Sequence, residues 1–110
     1  QEVAVSGGFH TSLMGSAGEA LANVLKDVTF SDPRIPVYSN VTGMPFKSKD
    51  EIPELLKRQL CEPVRWEDTV KAMIESGKTQ MHELGPGKQI KAMVKRINNN
   101  CWKNFQNVTV

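Results

Sequence analysis

His10 is the residue of this chain with the clearest potential for chemistry. It follows Gly7-Gly8-Phe9 and precedes a stretch with helical periodicity. An imidazole can accept a proton near neutral pH when a neighbouring group holds its ring in the correct tautomer. His10 is therefore a candidate general base, although a histidine at the start of a helix is more often structural.

A serine nucleophile to pair with this base is harder to find. Met14-Gly15-Ser16-Ala17-Gly18 imitates the Gly-x-Ser-x-Gly elbow, which needs a tight turn between a strand and a helix. Met14 occupies the place of the first glycine, and no strand pattern directly precedes it. Ser16 is therefore predicted to be a surface serine of a helix, so the chain offers a base without a nucleophile.

The segment Gly85-Pro86-Gly87-Lys88 partly resembles a phosphate-binding loop. It lacks the longer glycine spacing and the Ser or Thr after the lysine, so a tight strand-to-helix turn is the preferred interpretation. The N-terminus of the following helix would still favour an anion. Lys88, Lys91 and Lys95 lie opposite the apolar stripe of that helix, which is typical of a solvated face but would also attract an acidic partner.

His82 and the cysteines have plainer interpretations. His82 falls in a predicted buried strand, where we expect a core or supporting residue. Cys61 has no neighbour in sequence that would activate its thiol. Cys61 and Cys101 are too few for a disulfide framework and fit no zinc signature, so we expect reduced thiols and no metal.

Hydrophobic periodicity predicts alternating strands and helices. The predicted strands are 3–5, 35–39, 80–84 and 108–110, and the predicted helices run from about 12 to 27, between Asp50 and Pro63, from Trp66 to Gly77, and through Ile90 to Ile97. This alternation favours a parallel sheet with covering helices. Ligands bind such sheets beyond the carboxyl ends of the strands, so the loops at 6–10, 40–43 and 85–87 are predicted to share one site.

Composition is that of an ordinary globular protein. The chain has 110 residues, of which 39% are hydrophobic and 24% charged, enough for one domain with a modest core. The net charge of +2 is too small to indicate nucleic acid binding, and no apolar run is long enough to cross a membrane. The first residues match no signal peptide and include no initiator Met, so we expect that the chain was cut from a longer protein.

Five segments occur in an order that matches a known family. They are VSGGFHTSLM at 5–14, VYSNV at 37–41, RQL at 58–60, PVRW at 63–66 and ELGPGK at 83–88. Together they resemble the malonyl-CoA:acyl carrier protein transacylase family, and the tail NNCWK at 99–103 is similar to its animal mitochondrial members, which implies the mitochondrial matrix. The implied fold is α/β, the C-terminal portion of a parallel-sheet, α/β-hydrolase-like acyltransferase domain with covering helices. Residues 1–9 would end a small subdomain and linker, and residues 10–110 would form part of the α/β core.

The resemblance also implies a reaction. In this family a serine attacks the malonyl thioester, a histidine takes its proton, and the phosphopantetheine thiol of the carrier protein then attacks the malonyl-serine ester. His10 matches the histidine, and Gln59 matches a residue whose backbone carbonyl orients the imidazole, the part that Asp plays in a Ser-His-Asp triad. Asn40 matches a residue near the same histidine and is expected to help bind substrate. The implied substrates are malonyl-CoA and the phosphopantetheinylated carrier protein, with no cofactor, nucleic acid or membrane.

Phe9 is the residue from which substrate selectivity is predicted. Family members that select malonyl carry a bulky Phe directly before the histidine, whereas those that take methylmalonyl tend to carry a small residue. A ring beside the α-carbon leaves no room for a methyl branch, a discrimination worth roughly 1–3 kcal/mol. The alternative is that Phe9 only packs in the core.

The chain departs from the family by what it lacks. The Gly-His-Ser-x-Gly segment, the arginine that pairs with the malonyl carboxylate and the oxyanion glutamine are missing, and in the family they would lie upstream of Gln1. We therefore expect the chain to supply the catalytic His but not the Ser, and to be inactive alone. We also expect exposed apolar faces that favour self-association.

Two other functions stay open at this stage. One is a related acyltransferase domain of a multidomain fatty acid or polyketide synthase, which the NNCWK tail disfavours. The other is a noncatalytic module that binds an acidic protein through the basic helix carrying Lys88, Lys91 and Lys95. In a transferase the same lysines would dock the acyl carrier protein.

Overall fold

A computed structural model describes residues 2 and 4–110 of the chain. The chain divides into two compact units, the first ending at Trp66 and the second beginning at Glu67. Helices and a parallel pair of strands make up the regular structure, so the predicted α/β class is confirmed. None of the helices in the described part of the chain has the roughly 20 residues that a bilayer crossing requires.

Two packed helices form the frame of the first unit. Helix α1 (Gly15–Leu25) follows a 3-10 turn, and helix α2 (Ile52–Gln59) follows another with Pro53 in its first turn, where a missing N–H costs nothing. The buried Gly18 of α1 faces α2, and Lys57 of α2 reaches Glu19 of α1 at 2.6 Å. The close approach at Gly18 sets the direction in which α2 presents its C-terminus.

The segment between these helices is not the predicted strand. Instead of an extended strand over 35–39, the chain turns back on itself, and Tyr38 and Pro45 form an isolated antiparallel bridge. The Phe46 N–H donates to the Val37 carbonyl at 2.9 Å, and Gly43 makes the turn with a φ of 68°. The prediction was wrong because the backbone groups find partners within one tight loop rather than in a neighbouring strand.

The predicted strand at 3–5 is not observed either. Val3 lies outside the described residues, and Ala4 and Val5 are exposed and have no regular structure. The loop at 6–10 therefore does not follow a strand as predicted.

The second unit is a strand–helix–strand arrangement. Strand β1 (Met81–Leu84) lies parallel to strand β2 (Phe105–Val108), with Met81 opposite Phe105 and Leu84 opposite Val108. Helix α4 (Gln89–Ile97) connects them, followed by a 3-10 turn at Cys101–Asn104. Helix α3 (Trp66–Glu75) begins at the boundary of the units, and its chain leaves through Gly77, as predicted, with a φ of 85°.

A small set of apolar side chains is buried in this second unit. Val94 of α4 is completely buried, and Val70 of α3, Cys101 and Phe105 are nearly so. Val94 faces inward as the apolar stripe of the last helix predicts, whereas Met93 of the same helix is 44% exposed.

Candidate active site

The C-terminal end of α2 holds His10 at two points. The backbone N–H of His10 donates to the Leu60 carbonyl at 2.9 Å, and the ring Nδ1 lies 2.8 Å from the Gln59 carbonyl oxygen. The last carbonyls of a helix have no partner within the helix, so they are free to accept such bonds. The end of α2 therefore supplies the site for a residue 49 positions away along the chain.

This contact decides the tautomer of the imidazole. A carbonyl oxygen can only accept, so Nδ1 must carry the hydrogen that it donates to Gln59. The other nitrogen, Nε2, is then left with a lone pair. A half-buried imidazole with a fixed Nδ1–H and a basic Nε2 is arranged to take a proton from a hydroxyl or thiol.

His10 has an unusual backbone. Among the described residues it is the non-glycine with a positive φ, at 61°. Such a conformation is uncommon outside glycine, although Asn, Asp and His adopt it more often than other residues, and it costs on the order of 1–3 kcal/mol where it occurs. Its two hydrogen bonds to α2 hold the residue in this conformation and turn the ring toward the helix end.

The glycine before Phe9 permits the tight turn that leads into His10. A β-carbon on Gly8 would lie 2.8 Å from Leu13 Cδ1 and 3.2 Å from Thr11 Oγ1. The Thr11 hydroxyl donates to the Gly8 carbonyl at 2.6 Å and accepts from the Leu13 N–H. The segment before α1 is thus folded compactly, and only glycine fits at position 8 without a shift.

Phe9 is not a core residue. Its side chain is 49% exposed, and the ring edge lies beside Gly7. The alternative that Phe9 serves core packing is therefore wrong for this chain. An exposed ring next to the candidate base is free to contact a substrate, and its role in selectivity stays a prediction.

Asn40 lies on the turn of the hairpin-like loop, half-buried. Its carbonyl accepts from the Arg65 N–H at 2.8 Å, which ties this loop to the chain that follows α2. The buried Ser39 supports the turn, because its hydroxyl accepts from the Val41 N–H at 3.2 Å. The structure gives Asn40 a fixed backbone, and its contact with substrate stays a prediction.

Arg58 and Glu62 form an ion pair beside the end of α2. The guanidinium donates through Nε and Nη2 to the two carboxylate oxygens, at 2.6 and 3.0 Å. These bonds hold the pKa of the Glu62 carboxyl below its ordinary value. The positive charge of Arg58 and the negative charge of Glu62 therefore neutralise each other close to Gln59 in the chain.

Ser16 is an exposed residue of α1, as predicted. The loop at 85–87 belongs to the second unit and is described with it.

His82 is exposed on β1, so the prediction of a buried histidine was wrong. In a pair of strands, alternate residues face opposite sides, and it is Glu83 that points inward.

Glu83 is a structural residue that sequence reasoning missed. Its Oε1 accepts from the N–H groups of Gln89 and Ile90 at 3.2 and 3.4 Å, and its Oε2 accepts from Asn107 Nδ2 at 2.7 Å. The N-terminus of α4 therefore has an anion, but the anion is the protein's own carboxylate. The turn through Gly85, with a φ of 132°, brings the chain back for this contact. A glutamate close before a glycine turn and a helix start was the available signal.

The basic residues of the second unit gather near an aromatic ring. The ammonium of Lys91 lies 5.8 Å and that of Lys95 4.7 Å from the centre of the Trp102 ring. Lys88 precedes α4 and is exposed. The predicted basic surface is thus present on α4 and the turn after it.

Solved structures of acyltransferases share this fold. An acyl carrier protein S-malonyltransferase from Vibrio cholerae matches with a TM-score of 0.86 and 35% identity, over 98% of this chain and 34% of that one. A structure described as a type II PKS acyl-carrier protein in complex with its malonyl-transacylase matches with a TM-score of 0.85 and 38% identity, over 98% and 34%. The fold is therefore that of a segment of an α/β acyltransferase.

Sequence comparison shows which acyltransferases this chain resembles. The human mitochondrial malonyl-CoA-acyl carrier protein transacylase is 42% identical over 96% of this chain and 28% of its own length, and the Bacillus subtilis malonyl CoA-acyl carrier protein transacylase is 42% identical over 86% and 30%. The mouse and fly relatives are also named mitochondrial. No family model matches the chain. The chain is thus similar to a segment that makes up about a third of the length of malonyl-CoA–acyl carrier protein transacylases, and the resemblance found in the sequence is confirmed.

Proposed function

We propose that this chain supplies the catalytic base of a malonyl-CoA:acyl carrier protein transacylase of fatty acid synthesis. Nε2 of His10 takes the proton of a serine hydroxyl as the serine oxygen attacks the malonyl thioester carbon. The carbon–sulfur bond breaks, and coenzyme A leaves as a thiol with that proton. The phosphopantetheine thiol of the carrier protein then gives its proton to His10 and attacks the malonyl-serine ester. The ester bond between the carbonyl carbon and the serine oxygen breaks, and His10 passes that proton to the serine oxygen. The serine is not part of this chain.

One observation carries this proposal: the 2.8 Å contact between Nδ1 of His10 and the Gln59 carbonyl. It leaves a basic nitrogen on a ring that cannot change tautomer without losing a hydrogen bond. The carbonyl also lies where it stabilises the positive charge that develops on the ring during proton transfer. The relatives' names supply the reaction in which such a base is used.

The relatives support the proposed substrates and the proposed compartment. The bound carrier protein in one structural relative supports a carrier protein as acceptor, with Lys88, Lys91 and Lys95 as its docking residues here. Three animal relatives are mitochondrial, and we place the protein in the mitochondrial matrix. Phe9 and Asn40 are assigned to the malonyl-binding side of the site.

The test removes the imidazole in the full-length protein without disturbing the backbone. His10→Asn is the sharper variant, because Asn accepts a positive φ more readily than Ala does. We expect both His10→Asn and His10→Ala to lower malonyl transfer by several orders of magnitude while circular dichroism stays unchanged. The isolated 110-residue chain should show no transfer. Near-normal turnover by folded His10→Asn protein would overturn the proposal.

A noncatalytic module that binds an acidic protein is the second candidate. The cluster of Lys91, Lys95 and Trp102 favours it, since such a surface can bind without any chemistry at His10. In that case Lys91→Glu with Lys95→Glu would abolish partner binding, and His10→Asn would change no measured function. The transferase requires that His10→Asn abolish turnover.

A further inference from the structure

Trp102 holds two lysine side chains in defined positions. Lys91 and Lys95 are four residues apart on α4, so both project from the same side of the helix. Their ammonium groups lie 5.8 and 4.7 Å from the centre of the Trp102 ring. Both distances are within the roughly 6 Å at which a cation is attracted to the ring face. One aromatic ring thus orders two long side chains that would otherwise be mobile.

The ring itself is firmly placed. Its Nε1–H donates to the Asn99 side chain at 3.0 Å. The Asn98 side chain accepts from the N–H groups of Asn100 and Cys101 at 2.9 and 3.1 Å, which fixes the turn that carries Trp102. Cys101 is 4% exposed and anchors that turn in the core of the second unit. Trp102 is therefore a fixed support rather than a loose surface residue.

The charge of this surface is strongly one-sided. Residues 84–110 include five basic residues and no Asp or Glu. Two other lysines are held by carboxylates, Lys71 by Glu67 and Lys57 by Glu19, each at 2.6 Å. A neutral ring orders Lys91 and Lys95 without cancelling their charge. The surface therefore presents two ordered positive charges to an anionic partner.

We propose that Trp102 is a positioning residue for docking of the acyl carrier protein, and that it presents Lys91 and Lys95 to carboxylates on the carrier's surface. The inference rests on the proposed function for the identity of the partner. Ordering two lysine side chains before the encounter removes part of the entropy cost of binding. Lys91 and Lys95 then form the centre of the docking surface. Lys88 is not one of the two lysines that Trp102 orders.

The test uses the full-length protein and measures two quantities for each variant. The first is the Kd for the carrier protein at several salt concentrations, and the second is serine acylation by malonyl-CoA without carrier. We expect Trp102→Leu to weaken carrier binding about three- to tenfold, with the same salt dependence because both charges remain. Trp102→Phe should recover much of the affinity, since its ring also attracts cations. Lys91→Ala with Lys95→Ala should reduce both the affinity and the salt dependence.

Lys78→Ala is the matched control, because Lys78 is an exposed lysine of the same unit. It should leave the Kd nearly unchanged. Unchanged carrier affinity in folded Trp102→Leu protein would overturn the inference while leaving the transferase intact. A raised KM for malonyl-CoA with normal carrier binding would also overturn it, since the lysines would then serve coenzyme A phosphates. Wild-type protein that neither becomes acylated nor binds the carrier would instead overturn the proposed function.

Discussion

Two hydrogen bonds at His10 have separate consequences. The bond from its backbone N–H to Leu60 holds a residue with a positive φ, and the bond from Nδ1 to Gln59 fixes the tautomer. Both acceptors are backbone carbonyls at the end of α2. The base is therefore oriented by the course of a helix and not by a particular side chain.

This arrangement makes a prediction about Gln59. Gln59→Ala keeps the carbonyl oxygen in place, because Ala favours the helical conformation. We expect the kcat for malonyl transfer in the full-length protein to stay within about threefold of wild type. A steady-state assay against His10→Asn as the inactive reference measures this. A loss of a hundredfold or more in folded Gln59→Ala protein would mean that the amide side chain takes part in the reaction.

Phe9 gives a second prediction for a single residue. Its exposed ring lies next to His10 in the chain, and its removal should make room for a methyl branch on the substrate. We expect Phe9→Ala to raise the kcat/KM ratio of methylmalonyl-CoA to malonyl-CoA by about 10- to 200-fold. Phe9→Tyr keeps the ring and is the control that should retain malonyl preference. An unchanged ratio in Phe9→Ala protein would remove Phe9 from the specificity site.

At the scale of elements, the packing of α1 on α2 positions the histidine. Gly18 lets the helices approach closely, and a β-carbon there would lie 3.5 Å from Cys61 Sγ and 3.6 Å from the Lys57 carbonyl. These are ordinary van der Waals distances. The exposed Glu19–Lys57 pair adds little to this packing, although the hydrogen bond lowers the pKa of Glu19.

Gly18→Ala should therefore stabilise the protein. Ala has a higher helix propensity than Gly and restricts the unfolded chain, which is worth about 0.4–1 kcal/mol in the free energy of unfolding. Urea unfolding followed by circular dichroism measures the change. Gly77→Ala is the opposite control: Gly77 has a φ of 85°, so the same substitution there should destabilise. Destabilisation by Gly18→Ala would mean that the contacts at 3.5 and 3.6 Å leave no room for a methyl group between the two helices.

At the scale of the whole molecule, several large apolar side chains stay in solvent. Leu13 is 81% exposed, Ile35 is 72% exposed and Val24 of α1 is 64% exposed. The chain spans 28% of the length of its human relative. Apolar surfaces of this kind favour association with other surfaces.

The isolated 110-residue chain should therefore self-associate. Size-exclusion chromatography with light scattering should give a mass above 12.2 kDa at micromolar concentration. Leu13→Lys with Val24→Lys should shift the mass toward the monomer, since charged groups on this surface resist burial. Lys78→Ala is a surface control that should not change the mass. A sharp monomer peak for the wild-type chain would show that these side chains are tolerated in water.

Much of the fold was predictable because its signals are local. The helical periodicity of α1, α2, α3 and α4 and the glycine stop at Gly77 depend only on nearby residues. The strand predicted at 35–39 and the burial of His82 failed because both depend on partners elsewhere in the chain. Phe9 and Glu83 show the same limit: the sequence indicates an aromatic and an acid, and packing decides which of them is exposed.

The sequence by itself determined the residue types of the candidate site, the basic character of its last 27 residues and the family that its segments resemble. The resemblance also implied the Gln59 carbonyl as the partner of His10. Tertiary structure decided the 2.8 Å contact between that carbonyl and Nδ1, the place of Glu83 at the start of α4, and the contact of Trp102 with two lysines. The physical reason is range. Propensity and periodicity act over a few residues, whereas a hydrogen bond across 49 residues exists only after helices have packed and turned their unsatisfied ends toward it.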